Sequence, residues 1–233
     1  MSEVLRPDAA PPFLEALLEG VSRATTGELS GHRMAPPPDA TRRAAVLMLF
    51  AERGAGPEVL LVERASTLRN HAGQVAFPGG RLDPGDTGPV GAALREAEEE
   101  TGLDPAGVVP LALLPELFIP PSGFVVTPVL AHWARPTPVR AVDKAETAQV
   151  LRVPLADLAE PAHRITTVHP SGHRGAAFLV AGVLVWGFTG GLLSALLDRG
   201  GWTRPWAEDR VLELGAAWAA ARSGDTGQEA SGT

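Results

Sequence analysis

Hydrophobic positions fall in short dense runs punctuated by glycine and proline, a pattern of buried strands broken by turns. Ala44 to Ala51 (AAVLMLFA) and Glu58 to Glu63 (EVLLVE) read as buried strands joined by Arg53-Gly54-Ala55-Gly56-Pro57, a connection suited to a hairpin. A short strand is expected at Val75 to Phe77, leading into Pro78-Gly79-Gly80. Further strands are expected at Val108 to Leu114, Phe124 to Ala131 and Ala177 to Trp186, while Glu146 to Pro154 reads as a loop or strand edge. A helix is predicted to start near Thr87 to Pro89, capped by Thr87 or Gly88 with proline in its first turn. It should end at Thr101, with Gly102 left-handed and Leu103 making the following apolar contact. Other helices are expected over Pro12 to Ala24, after Thr189, and from Trp206 to Arg222. Mixed strands with helices on either side predict an α/β layered domain.

Residues 1–40 read as an arm bounded by Pro36, Pro37 and Pro38, residues 41–222 as one domain, and residues 223–233 as a disordered tail too polar to pack. Cysteine is absent, which excludes disulfides, thiolate nucleophiles and cysteine-based metal centres and suits a reducing compartment. The N-terminus MSEVLRPDAAPP has no secretory pattern, so a cytoplasmic location is expected. The net charge is −7, and lysine occurs only at Lys144. With no basic cluster, polymeric nucleic acid is a poor partner; a small anion remains compatible if metal and local arginines offset the acidity. Self-association into a homodimer is left open.

The uncharged run from Ala176 to Leu197 is long enough to span a bilayer. Its character changes midway, however, from strand-like Phe178 to Trp186 to helix-like Leu192 to Leu197, with Gly187, Gly190 and Gly191 at the joint. No membrane span is therefore expected. No GxSxG elbow, Walker loop, dinucleotide GxGxxG or HExxH pair occurs.

Chemistry concentrates in the run REAEEE. Glu96, Glu99 and Glu100 stand three and four residues apart, so on a helix their carboxylates converge on one face, with Arg95 the only cation in the run. Each like-charge pair costs a few tenths of a kcal/mol on an isolated helix, a penalty that a divalent cation would remove. Glu98 lies about 160° from Glu96 on the helical wheel and falls outside this face.

The string Gly80, Asp86, Arg95, Glu96, Ala97, Glu99, Glu100, Gly102, Leu103 resembles the Nudix box, with aspartate in place of the usual glutamate at Asp86 and a spacer to Arg95 one residue longer than usual. Both departures resemble the coenzyme A pyrophosphatase branch of Nudix hydrolases, as does the upstream segment carrying Arg64, Arg69, His71, Gly73 and Phe77-Pro78-Gly79-Gly80. ETAQVLRVPL from Glu146 and WGFT from Trp186 resemble that branch's later landmarks. The resemblance implies a Nudix α/β/α sandwich with a mixed sheet. It also implies Mg²⁺- or Mn²⁺-dependent hydrolysis of coenzyme A or acyl-CoA to 3′,5′-ADP and (acyl-)4′-phosphopantetheine. Alternatives are the same chemistry on ADP-ribose, NADH or a nucleoside triphosphate, or a nucleotide-binding regulator without turnover. On this reading Glu96 and Glu100 are the first metal ligands, Glu99 shares a further ion, and the Gly79 carbonyl is an additional ligand. Glu146 is the preferred general base, with Glu99 competing. Arg64, Arg69, His71 and Lys144 are candidates for gripping phosphates, and Gly80 and Arg95 for shaping the acidic cluster.

Overall fold

The computed structural model describes residues 4–30, 37, 40–54, 56–68 and 71–224. One sheet contains β1 (Arg42–Arg53), β2 (Gly56–Arg64), β3 (Val75–Ala76), β4 (Gly79–Arg81), β5 (Val108–Leu113), β6 (Leu117–Ile119), β7 (Phe124–Trp133) and β8 (Thr147–Pro154). A second contains β9 (Arg164–Val168), β10 (Arg174–Val180), β11 (Val183–Val185) and β12 (Val211–Glu213). The helices are α1 (Pro12–Ser22), α2 (Thr26–Ser30), α3 (Pro89–Thr101), α4 (Leu155–Ala159), α5 (Gly187–Arg199) and α6 (Leu214–Ser223).

The axis of the larger sheet is β1, which runs parallel to β7 and antiparallel to both β2 and β4, so the sheet is mixed. Its unbroken apolar run follows from burial on both faces. Ala45, Leu47 and Leu49 meet Val90, Ala93 and Ala97 of α3, together with Val129 and Ala131 of β7. Met48 and Phe50 point the other way, into a core shared with Leu14 and Leu17 of α1 and Leu192, Leu193 and Leu196 of α5. The sheet therefore carries helices on both faces, an α/β/α arrangement. Alanines on the inner side of α3 bring its backbone close to the sheet, which sets the height of the acidic side chains above β4.

Several elements depart from the sequence expectation. Residues 1–40 include α1, whose Leu14 and Leu17 are completely buried, so this part of the expected arm is docked onto the central core. Burying one such leucine contributes roughly 1.5–3 kcal/mol, so Leu14, Leu17 and Val21 together offset a good part of the chain freedom lost when α1 forms. The expected strand Ala177 to Trp186 is a hairpin, because Ala181 and Gly182 adopt φ of 52° and 76° and turn β10 back into β11. The expected helix from Trp206 begins only at Leu214, since Val211 to Glu213 instead pair in parallel with Thr166 to Val168 of β9. Glu146 to Pro154, read as a loop or strand edge, supplies β8 on the outer side of β2. The uncharged run is divided among β10, β11 and α5, and among the described residues no helix is long and apolar enough to cross a membrane. The expected tail, apart from Ser223 and Gly224, lies outside the described residues.

Candidate active site

The acidic helix and the glycine turn fit together through close approach. Gly88 is the N-cap of α3 with φ 96° and Pro89 follows at its first position, while Gly102 closes the helix at φ 67° with its N–H donated to Glu98 O. Beneath α3, β4 pairs with the start of β1, and the two glycines lie where no side chain fits. A Cβ on Gly80 would stand 2.4 Å from Glu96 Cδ, and one on Gly79 would stand 2.3 Å from Ala45 O. The Gly79 N–H donates to Glu100 Oε2 at 3.1 Å. The two carboxylates one turn apart thus rest directly on the glycine strand.

Arg95 holds the outer side of the cluster. Its Nε and Nη2 form a forked pair with the Asp86 carboxylate at 3.0 and 3.1 Å, and Nη2 also donates to Arg81 O at 3.0 Å. Nη1 donates to both Glu96 and Glu99, at 3.0 and 3.1 Å. The Asp86 side chain is 8% exposed, and its pairing with Arg95 holds its carboxyl below the usual aspartate range despite burial. The same bond, with Asp86 first and Glu96 after it, raises the Arg95 pKa. Sequence reasoning placed Asp86 in the motif but missed that it anchors Arg95; the available signal was an acid held at a fixed offset before a lone arginine.

Burial dominates the electrostatics of the two inner acids. Glu96 is pushed above its ordinary value by burial, partly offset by the bond from Arg95. Glu100 is pushed up to about 7, first by burial, with the Gly79 N–H and Arg64 pulling down and Glu96 and Glu146 pushing further up. Arg64 Nη1 lies 3.9 Å from Glu100 Oε1, and its buried Nε has no hydrogen-bond partner. The pairing of β2 with β8 slips between Glu63 and Arg64, an irregularity of the kind that re-aims a side chain.

Glu146 is exposed and stands close enough to affect Glu100 electrostatically. It is fixed by a turn in which the Asp143 carbonyl accepts from the Glu146 and Thr147 N–H groups, and its own carbonyl accepts from Ala65 at the end of β2. Lys144 is exposed in that turn. His71 is exposed with φ 58°, its Nδ1 2.8 Å from Gln74 Oε1. The loop carrying it folds back on β2, because the Gly73 N–H donates to Arg64 O and the Arg64 N–H donates to Gln74 O. Arg69 lies outside the described residues. Glu99 is the most exposed of the three predicted acids, at 59%, and Glu98 is exposed beside it. The structure therefore gathers Gly79, Gly80, Arg95, Glu96, Glu99, Glu100 and Arg64 directly, with Glu146 at the same edge.

Among the described residues no three carboxylates or imidazoles are gathered tightly enough to grip an ion as they stand, and Arg95 bridges Glu96 and Glu99. The donor set nevertheless suits a hard dication: it is made of carboxylate oxygens, and two of them are held at a raised pKa by burial, a state relieved by either a proton or a cation.

Comparison with known proteins identifies the family. Residues 40–170 match the NUDIX domain family model. The uncharacterized Nudix hydrolase NudL of Cronobacter sakazakii is 40% identical over 162 residues, covering 66% of this chain and 81% of that protein. The uncharacterized NudL of Escherichia coli K12 is 38% identical over the same length and coverage. Among solved structures, the Nudix hydrolase RenU of M. smegmatis is 23% identical with a TM-score of 0.49, covering 71% of this chain and 89% of that one.

Proposed function

Because this chain belongs to the Nudix family and is a hydrolase acting on pyrophosphate bonds, we propose that its substrate is coenzyme A or an acyl-CoA, cut to 3′,5′-ADP and (acyl-)4′-phosphopantetheine. The observation that carries this reading is the joint placement of two segments. The acidic helix sits over Gly79-Gly80, and Gly73 and Gln74 pair back onto Arg64, which lies beside Glu100. A diphosphate bearing a further 3′-phosphate needs donors away from the metal, for which Arg69, His71 and Lys144 are the candidates, while Arg64, beside Glu100, is the candidate for the diphosphate itself.

Glu96 and Glu100 would hold Mg²⁺ or Mn²⁺, with Glu99 and the Gly79 carbonyl as additional oxygen donors. When bound, such an ion supplies positive charge against the phosphate oxygens and acidifies water. Arg95 orients Glu96 and Glu99 through its anchor on Asp86. Glu146 accepts the proton of the attacking water as the new phosphorus–oxygen bond forms, and the bridging phosphorus–oxygen bond breaks to release the second phosphate monoester. No covalent enzyme intermediate is required.

The test is a mass-spectrometric product screen of coenzyme A, acetyl-CoA, ADP-ribose, NADH and nucleoside triphosphates with Mg²⁺ and with Mn²⁺. The expected products are 3′,5′-ADP and 4′-phosphopantetheine. Cleavage of ADP-ribose with coenzyme A untouched would reject the substrate while leaving the hydrolase chemistry intact.

A further inference from the structure

A second cavity, of about 540 Å³, opens between the smaller sheet, α5 and the segment from Thr203 to Glu208, and contains none of the residues placed in the candidate active site. Its wall includes Arg164, which leaves β9 with a relative exposure of only 2%. Arg164 Nη2 donates to Ser194 Oγ at 2.8 Å, but its Nε and Nη1 are buried and have no hydrogen-bond partner. The guanidinium lies 4.7 Å from the Trp206 ring and 5.4 Å from the Phe178 ring, so aromatic faces rather than acids surround it. Burial lowers its pKa below the ordinary arginine value, with Asp198 and Glu208 opposing from a distance.

An arginine so placed is costly unless a counter-ion completes it. The acids of the cavity wall do not do so. Asp198 accepts from the Thr203 hydroxyl, and among the described residues no carboxylate forms an ion pair with Arg164. Arg174 is exposed on the same wall, and Arg204 adds a third guanidinium while paired with Glu160 at 3.2 Å. With Arg204 answered by Glu160, Arg164 and Arg174 stand against Asp198 and Glu208, a balanced lining in a chain whose overall charge is −7. The volume exceeds what a bare oxyanion needs and lies within the range of small-molecule sites.

We propose that this cavity is a second binding site, for a small phosphate-bearing metabolite whose phosphate group is gripped by Arg164 and Arg174. Forked guanidinium donors match phosphate geometry, the Ser194 hydroxyl accepts from Arg164 and keeps its own proton to donate, and Trp206 lines the cavity beside the remainder of the ligand. The site is independent of the substrate proposed above.

The test uses the full chain in EDTA, so that metal-dependent binding at the acidic helix does not contribute, with inorganic phosphate and adenosine 5′-monophosphate as probes and sulfate and citrate as comparison anions. Tryptophan fluorescence and phosphorus NMR line width are followed during titration. Saturable binding of a phosphate probe is expected, weakened about tenfold or more in Arg164→Met and severalfold in the surface variant Arg174→Gln. Arg164→Met replaces an incompletely paired buried cation with an apolar side chain, so its thermal midpoint should equal or exceed the wild type. If it fails to fold, Arg174→Gln alone decides. Absence of saturable binding, binding unchanged in the variants, or citrate binding more tightly than either phosphate probe would overturn the proposal.

Discussion

Replacing Glu100 with glutamine should stabilise the metal-free protein above neutral pH while abolishing hydrolysis. Glu100 is an acid whose pKa rises from its ordinary 4.5 to about 7 on folding, chiefly because it is buried. The folded state therefore binds this proton more tightly than the unfolded chain does. The Glu100 contribution to stability is level below about pH 4.5, declines as pH climbs toward 7, and is fully unfavourable above that. At about 1.4 kcal/mol for each tenfold change in proton affinity, the penalty at pH 8 reaches up to about 3 kcal/mol. The side chain is only 11% exposed, so solvent screens little of it. Glutamine keeps an acceptor for the Gly79 N–H and never ionises. Urea unfolding in EDTA at pH 5 and pH 8 should show the variant close to the wild type at the lower pH and about 1–3 kcal/mol more stable at the higher one. Adding Mg²⁺ should stabilise the wild type and not the variant, narrowing the gap. A variant no more stable than the wild type at pH 8, or a difference that ignores pH, would refute the assignment of Glu100 as a buried, strained anion.

Substitutions at four other positions probe separate parts of the structure. Arg95→Ala should cost about 3–5 kcal/mol by leaving Asp86 buried without its partner, read by denaturant midpoint, and Arg95→Lys should recover only part of it because the fork is lost. Gly80→Ala should keep the fold but displace Glu96, lowering metal affinity measured by calorimetry, because the new methyl would lie 2.4 Å from Glu96 Cδ. Glu146→Gln should reduce kcat by about 10²-fold or more with metal affinity retained; an unchanged kcat would move the base to Glu99. Leu17→Ala should cost about 2–5 kcal/mol, since α1 is docked on the central core; a negligible loss would show that it is not.

The acidic helix was readable almost to the residue, because its signals are local: proline and glycine at its start, glycine after its end, and carboxylates at helical spacing. The strands β1, β2, β5 and β7 were readable for a related reason, their apolar runs being dense and bounded by turn residues. What escaped was decided by pairing at a distance. Val211 to Glu213 became a strand only because β9 offered an edge, and nothing in the local pattern announces that partner. The hairpin at Ala181-Gly182 was hidden by apolar residues on both sides of the turn. Within the site, the grip of Arg95 on Asp86 depends on the loop from Asp83 to Gly88 folding under the helix. Spacing alone gave the acid and the arginine but not their union.

The parallel pairing of β1 with β7 governs how the molecule comes into being. The ribosome delivers α3 well before Phe124 to Trp133, so the small-residue side of that helix must wait for half of the floor it will rest on. Folding is thereby tied to closing a loop of 82 residues, from Arg42 to Phe124, which slows the search. A chain cut short before Phe124 would carry the acidic helix without β7 beneath it, and its uncovered apolar strands would drive it toward aggregation.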